Sequence, residues 1–223
     1  MDVLRDIESE RRRASVVVWL LGIVAAVNLA GVGSGLAQLA LLERAASTGI
    51  TTAEANANDL RHSAIAGVHV IGFLVTAVAW LFWMHRAYGN LARFGTGKTE
   101  HSPSWAVISW FIPILNLFRP YTITKELWVR SRGANAAGPA GPGAGIVGWW
   151  WTLWIINGLL GNVSNAMARS AKGIPELQSL TVVGIVGDVL TIGAAVLALV
   201  VVRRIDGYQR AAGLTARAVE ALS

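Results

Sequence analysis

The sequence contains no cysteine and few charged residues. Without cysteine, the chain has no disulfide framework, no thiolate metal site and no thiol nucleophile. Only 14% of its 223 residues are charged and 54% are hydrophobic, and the hydrophobic residues form long uncharged runs. That composition is typical of an integral membrane protein and excludes a soluble globular domain.

Recognisable catalytic and ligand-binding motifs are also missing from the sequence. The four histidines show no i, i+4 pair and no metal-ligand spacing; they are His62, His69, His85 and His101. We therefore predict no metal site, no cofactor and no enzymatic activity. The net charge of +6 is explained by membrane topology, so nucleic-acid binding is not expected.

Four apolar runs are long enough to cross about 30 Å of hydrocarbon, which takes about 20 helical residues. They predict an all-α protein with spans at 15–42, 64–84, 146–168 and 179–202. The predicted organisation is a tail at 1–14, a single four-helix membrane domain at 15–202 and a second tail at 203–223. A Gly-, Ala- and Pro-rich segment, 133–145, reads as a flexible linker.

Lysine and arginine define the predicted orientation, because basic residues accumulate on the cytoplasmic side of a membrane. With four spans, 15 of the 19 basic residues lie on the side of both termini. With a fifth span at 105–118, the distribution becomes 9 inside and 10 outside. The four-span arrangement therefore predicts an inner (cytoplasmic) membrane protein with both termini in the cytoplasm.

Residues 103–132 are predicted to enter the membrane from the cytoplasmic side and return, or to lie at the interface. Ser102 and Pro103 are suited to begin a helix, and Pro113 interrupts that helix after Ile112. A second helix is expected from Pro120 to about residue 132, with an i, i+4 pair between Glu126 and Arg130.

All ten tryptophans fall towards the predicted cytoplasmic side. Indole rings favour the membrane interface, so an aromatic belt is one interpretation. A groove that holds lipid or another hydrophobic ligand is the alternative.

A polar layer is predicted inside the bundle around Asp188, which is the one acid well inside any predicted span. At 1.5 Å per residue, four further polar residues fall within about two turns of its level: His69, Asn28, Asn157 and Asn162. Two interpretations stay open. The layer can hold helices together by hydrogen bonds, or an Asp188–His69 pair can bind a cation or relay a proton.

Three stretches carry a resemblance to a known family: "FWMHRAYGNLARFG", "SPSWAVISWFIPILNLFRPYTITKELW" and the Trp-rich start of the third span. They resemble the bacterial membrane-protein family catalogued as domain of unknown function 4328. The resemblance implies a multi-helix membrane domain and brings no activity, substrate or cofactor. The matching residues are Arg86, Asn90, Pro103, Trp105, Trp110, Phe111, Pro113, Asn116, Pro120, Glu126 and Trp128.

Two functional classes fit these observations. The first is a non-enzymatic membrane module that binds membrane lipid, or a membrane or cytoplasmic protein partner, through its basic and aromatic cytoplasmic face. The second is a small transporter, channel or sensor with an intramembrane polar site around Asp188. The sequence leaves the oligomeric state undetermined.

Overall fold

The computed structural model describes residues 2–93, 98–133 and 143–220, without the side chains of 2–11 and 216–220. These residues form helices and connecting turns, with no β-strand among them. The helices in chain order are α1 (Asp2–Ser47), α2 (Thr52–Arg93), α3 (Trp105–Ile108), a 3-10 helix (Leu115–Leu117), α4 (Arg119–Gly133), α5 (Gly145–Ser170) and α6 (Ile174–Glu220).

Three helices of the described chain are long and apolar enough to cross a membrane: α1, α2 and α6. The 26 residues of α5 reach about 39 Å at 1.5 Å per residue, which exceeds the hydrocarbon thickness. Its tryptophans and asparagines lower its mean hydropathy, so α5 is not among the three. The apolar composition of α1, α2 and α6 indicates a membrane-embedded protein.

The chain divides into two compact units. Unit 1 comprises residues 1–21, 75–151 and 197–223, and unit 2 comprises 22–74 and 152–196. Each of the four long helices contributes one end to each unit. The ends in unit 1 are the N-terminal ends of α1 and α5 and the C-terminal ends of α2 and α6, with residues 98–133 between them in sequence.

The turn from α1 to α2 belongs to unit 2 and is defined by local hydrogen bonds. Gly49 has a φ of +82°, and its N–H donates to the carbonyl of Arg44, which ends α1 in the left-handed conformation that glycine favours. Thr51 and Glu54 then form a capping box. The Glu54 N–H donates to Thr51 Oγ1 at 3.2 Å, and the Thr51 N–H donates to Glu54 Oε2 at 2.9 Å.

Residues 103–112 are less helical than the sequence predicted. The helix expected from Pro103 to Ile112 is limited to Trp105–Ile108, and its N-cap is Ser104, which forms no side-chain cap hydrogen bond. Pro113 explains the early end, because a proline ring clashes with the carbonyl four residues earlier. That residue is Ser109, the C-cap of α3. The second predicted helix is α4, with Pro120 in its first turn.

Both tails continue the adjacent helices, because α1 already begins at Asp2 and α6 extends to Glu220. The predicted linker, 133–145, lies mostly outside the described residues. Its last position, Gly145, is the first residue of α5.

Candidate functional site

Tryptophans form the aromatic core of unit 1. The Trp80 ring lies 5.2 Å from that of Trp83 and 5.2 Å from that of Trp150, centroid to centroid. Trp110 packs edge-on against Trp151 at 5.9 Å, and Trp151 Nε1 donates a hydrogen bond to the Leu117 carbonyl at 3.1 Å. Trp110 also lies 6.5 Å from Trp80, so the segment after α3 contacts both α2 and α5. These rings are mainly core residues, whereas Trp19 and Trp149 are exposed, as an interfacial belt requires.

A buried amide connects α2, α4 and α6 within unit 1. Gln209 Nε2 donates to the Ala87 carbonyl at 2.8 Å and to Ser131 Oγ at 3.0 Å. Its Oε1 accepts a hydrogen bond from Asn90 Nδ2 at 3.3 Å. Because an unsatisfied buried polar group is costly, this network fixes the register of the three helices. Gln209 was not predicted as a site residue, because Asp206, Tyr208 and Arg210 around it are also polar and nothing in the sequence singles it out.

The carboxylate of Glu126 is the centre of a second polar network, and its side chain is 8% exposed. Oε2 accepts a hydrogen bond from the Tyr88 hydroxyl, and Oε1 accepts from Arg130 Nε at 2.7 Å and from the Glu100 N–H at 2.9 Å. Burial alone would raise the pKa of Glu126, but these hydrogen bonds outweigh it and hold the pKa below its usual value. The predicted i, i+4 pair with Arg130 is present.

Glu100, His101 and Glu126 bring three potential metal-ligand atoms within 4.8 Å of one another. Arg119 Nη1 is hydrogen-bonded to His101 Nε2. His101 Nδ1 lies 3.7 Å from Glu126 and has no hydrogen-bond partner among the described residues. Both Glu126 oxygens already accept hydrogen bonds from the protein, so we interpret the group as a structural polar cluster.

A groove of about 400 Å³ lies between α1 and α2 within unit 1. Its lining includes both arginines and apolar side chains, and we call it the arginine groove. The lining residues are Arg12, Arg13, Val16, Ala79, Phe82, His85 and Arg86. Phe82 is 70% exposed. Among the described residues, Nη1 of Arg13 is buried without a hydrogen-bond partner.

Asp188 and His69 meet over Gly31 in unit 2. A Cβ placed on Gly31 would overlap the Asp188 carboxylate, with Cγ at 3.0 Å, and would lie 3.2 Å from His69 Cε1. A Cβ on Gly35 would lie 2.6 Å from Ile185 Cγ1. The absence of side chains at Gly31 and Gly35 thus allows close approach of α1 and α6, the role expected of small residues four apart.

The three asparagines predicted near Asp188 do not join it. Asn28 Nδ2 donates to the Val24 carbonyl at 2.8 Å, and Asn162 Nδ2 donates to the Gly158 carbonyl at 2.9 Å, so both bond to their own helices. Asn157 Nδ2 donates to Thr191 Oγ1 on α6 at 2.7 Å and therefore links α5 to α6. The predicted layer contains one converging pair, Asp188 and His69.

The residues that carried the family resemblance all belong to unit 1. Pro103 lies 3.7 Å from the Cβ position of Gly89, and its carbonyl is 3.1 Å from His85 Nδ1. Trp128 is fully buried and packs edge-on against Tyr208, whereas Phe111 is 71% exposed. The remaining members lie in the networks and turns described above or on the surface: Arg86, Asn90, Trp105, Trp110, Pro113, Asn116, Pro120 and Glu126.

The family model described as Domain of unknown function (DUF4328) matches residues 46–207. The chain belongs to this family. No curated protein and no solved structure matches it. The matched region of this DUF4328 protein includes the Glu126 network, the aromatic core and the Asp188–His69 pair, and it excludes the part of the arginine groove on α1.

Proposed function

We propose that this protein is a non-enzymatic membrane module that binds an anionic phospholipid in the arginine groove. The observation that carries the proposal is the groove itself, whose lining combines three arginines with apolar side chains. Arginine guanidinium groups hydrogen-bond phosphate oxygens in a fixed fork geometry. Val16, Ala79 and Phe82 offer the adjoining surface for an acyl chain.

The proposal includes four membrane spans, with α5 as the third in chain order. This part of the proposal is supported by the way each long helix is divided between unit 1 and unit 2. Like α1, α2 and α6, α5 has one end in unit 1 and the other in unit 2. Because α5 is divided between the units in the same way as the three apolar helices, we infer that it is also a span. Residues 103–132 belong wholly to unit 1 and are proposed to be re-entrant or interfacial.

Both termini are proposed to face the cytoplasm of the inner membrane, because the basic residues concentrate in the segments of unit 1. The arginine groove then lies at the cytoplasmic leaflet, whose anionic lipids attract basic side chains by about 1 kcal/mol for each lysine or arginine. A groove at this level presents its charges to headgroups and its apolar side chains to acyl chains.

Lipid retention tests the groove. We expect native mass spectrometry of the detergent-purified protein to show bound phosphatidylglycerol in preference to phosphatidylcholine. The double variant Arg12→Gln/Arg86→Gln removes about 2 kcal/mol of attraction and should reduce phosphatidylglycerol affinity about 30-fold. The charge-matched control Arg203→Gln/Arg204→Gln alters two exposed arginines outside the groove and should retain the lipid.

Equal retention by the two double variants would contradict the proposal, because binding would then reflect net charge alone. Purification of the unmodified protein with a stoichiometric protein partner that Arg12→Gln/Arg86→Gln displaces would also overturn it, in favour of a protein occupant of the groove.

Topology is tested separately with single cysteines, for which the cysteine-free chain provides a clean background. Ser102→Cys, Lys125→Cys and Ser170→Cys each replace an exposed residue. With an impermeant thiol reagent, the first two should react from the cytoplasmic side and Ser170→Cys from the opposite side. Reaction of Ser170→Cys from the cytoplasmic side would exclude α5 as a span, and opposite labelling of Ser102→Cys and Lys125→Cys would show that the intervening segment crosses.

A further inference from the structure

Asp188 and His69 occupy one small space against α1 in unit 2. Their side chains come from α6 and α2, and both lie within contact distance of the point where Gly31 would carry a Cβ. Any other residue at position 31 would compete with the carboxylate for that space. The sequence thus leaves room for a carboxyl group and an imidazole together at the surface of α1.

The pair is isolated from other charges. In the described part of the chain, His69 Nε2 is buried and has no hydrogen-bond partner. The ion pairs found among the described residues leave Asp188 without a lysine or arginine, and no hydrogen bond or ion pair there joins it to His69. In unit 2, Arg61 instead bonds to Ser34, and Arg44 pairs with Glu54.

Among the described residues, the next titratable groups along α2 towards its N-terminus are Arg61 and His62, and both contact Ser34 on α1. Gly31 is the neighbour from α1, and His69 is the neighbour from α2. From α5, Asn157 and Leu160 approach the adjacent Gly187. Asn157 and Thr191 bond to each other, and Thr191 Oγ1 donates to the Gly187 carbonyl. One carboxylate and one imidazole are fewer protein ligands than the three or four that zinc sites use.

We propose that Asp188 and His69 form a proton-binding site inside the membrane-spanning part of the protein. Together they carry a charge of −1 with no titratable proton, zero with one and +1 with two. A low-dielectric environment disfavours a net charge, so proton binding by two ionisable groups in one space affects the helices around them. Gain or loss of a proton changes the charge at the place where α1, α2 and α6 meet. Such a site can serve a pH sensor or a proton-linked transporter.

Dicyclohexylcarbodiimide tests the site, because this apolar reagent enters the membrane and reacts with a carboxyl group that still carries its proton. We expect peptide mass spectrometry of the folded protein in detergent to find the adduct on Asp188. Labelling should increase as the pH falls from about 9 to about 5. Asp188→Asn should abolish the adduct in that peptide, whereas Glu176→Gln, which removes an exposed acid from the same helix, should retain it.

The role of His69 has its own readout. His69→Gln removes the second ionisable group beside Gly31, so the pH profile of Asp188 labelling should shift relative to the unmodified protein. Absence of labelling at every pH would overturn the proposal, as would an identical pH profile in His69→Gln. Labelling that is constant across the pH range would also overturn it, because Asp188 would then be a permanently protonated hydrogen-bond donor. Thermal unfolding of each variant confirms that it is folded.

Discussion

Gly31→Ala is the most informative single substitution in unit 2, because the added methyl group would overlap the Asp188 carboxylate. Overpacking of this kind costs about 1–3 kcal/mol. Alanine in a helix interior recovers about 0.5–1 kcal/mol relative to glycine, so the net effect is smaller than the steric cost. Gly33→Ala is the matched control, since nothing lies within 4 Å of its Cβ position and it has the same gain in helix propensity.

We therefore expect Gly31→Ala to be less stable than Gly33→Ala by about 1–3 kcal/mol. The assay is thermal unfolding in detergent, followed by the intrinsic fluorescence of the ten tryptophans. Carbodiimide labelling of Asp188 should change in Gly31→Ala and stay unchanged in Gly33→Ala, because only the first displaces the carboxylate. A Gly31→Ala protein as stable as Gly33→Ala would refute the close packing of α1, α2 and α6 around this pair.

Two further predictions concern unit 1. Glu126→Gln should cost about 1–3 kcal/mol at neutral pH, because it weakens the hydrogen bonds from Tyr88 and Arg130. The pKa of Glu126 is lower in the folded state than its ordinary value of about 4.3. The ionised carboxylate therefore stabilises the fold above about pH 4.3, and this stabilisation is lost as the pH falls through the folded-state pKa, so the stability difference between wild type and variant should shrink in that range. A difference that stays constant with pH would contradict the network. Gln209→Leu should lower the free energy of unfolding by about 2–4 kcal/mol, because Asn90 and Ser131 lose their hydrogen-bond partner. In denaturant unfolding, the double variant Asn90→Leu/Gln209→Leu should lose less stability than the sum of the two single variants. Strict additivity would show that the two amides do not interact.

The helices could be predicted from sequence because their cause is local. Long uncharged runs predicted α1, α2, α5 and α6, and Pro113 predicted an interruption. Helix rise also predicted that His69 lies within about two turns of the level of Asp188, and atoms of both side chains lie near the Cβ position of Gly31.

The sequence did not predict which side chains contact one another, because that depends on the rotation of each helix about its axis. Rise sets the depth of a residue, but each residue also turns by about 100°, and a small change in rotation directs a side chain to another neighbour. Asn28 and Asn162 have suitable depths, yet both bond to their own helices. Tyr88 and Glu126 are 38 residues apart, and no local pattern in the sequence indicated that they would pair.

The polar groups with a structural role differ from the candidate functional ones in the number of hydrogen-bond partners they have. Glu126 and Gln209 in unit 1 each have at least three partners, so their replacement should act through stability. Asp188 faces an imidazole whose Nε2 has no partner among the described residues, and no arginine or lysine neutralises it there. A carboxyl group maintained for stability alone would be expected to bond to the nearby amides, yet Asn157 bonds to Thr191 instead. Asp188→Asn should therefore leave unfolding nearly unchanged while it removes the proton-dependent behaviour of unit 2, the opposite of the pattern expected at Glu126 and Gln209.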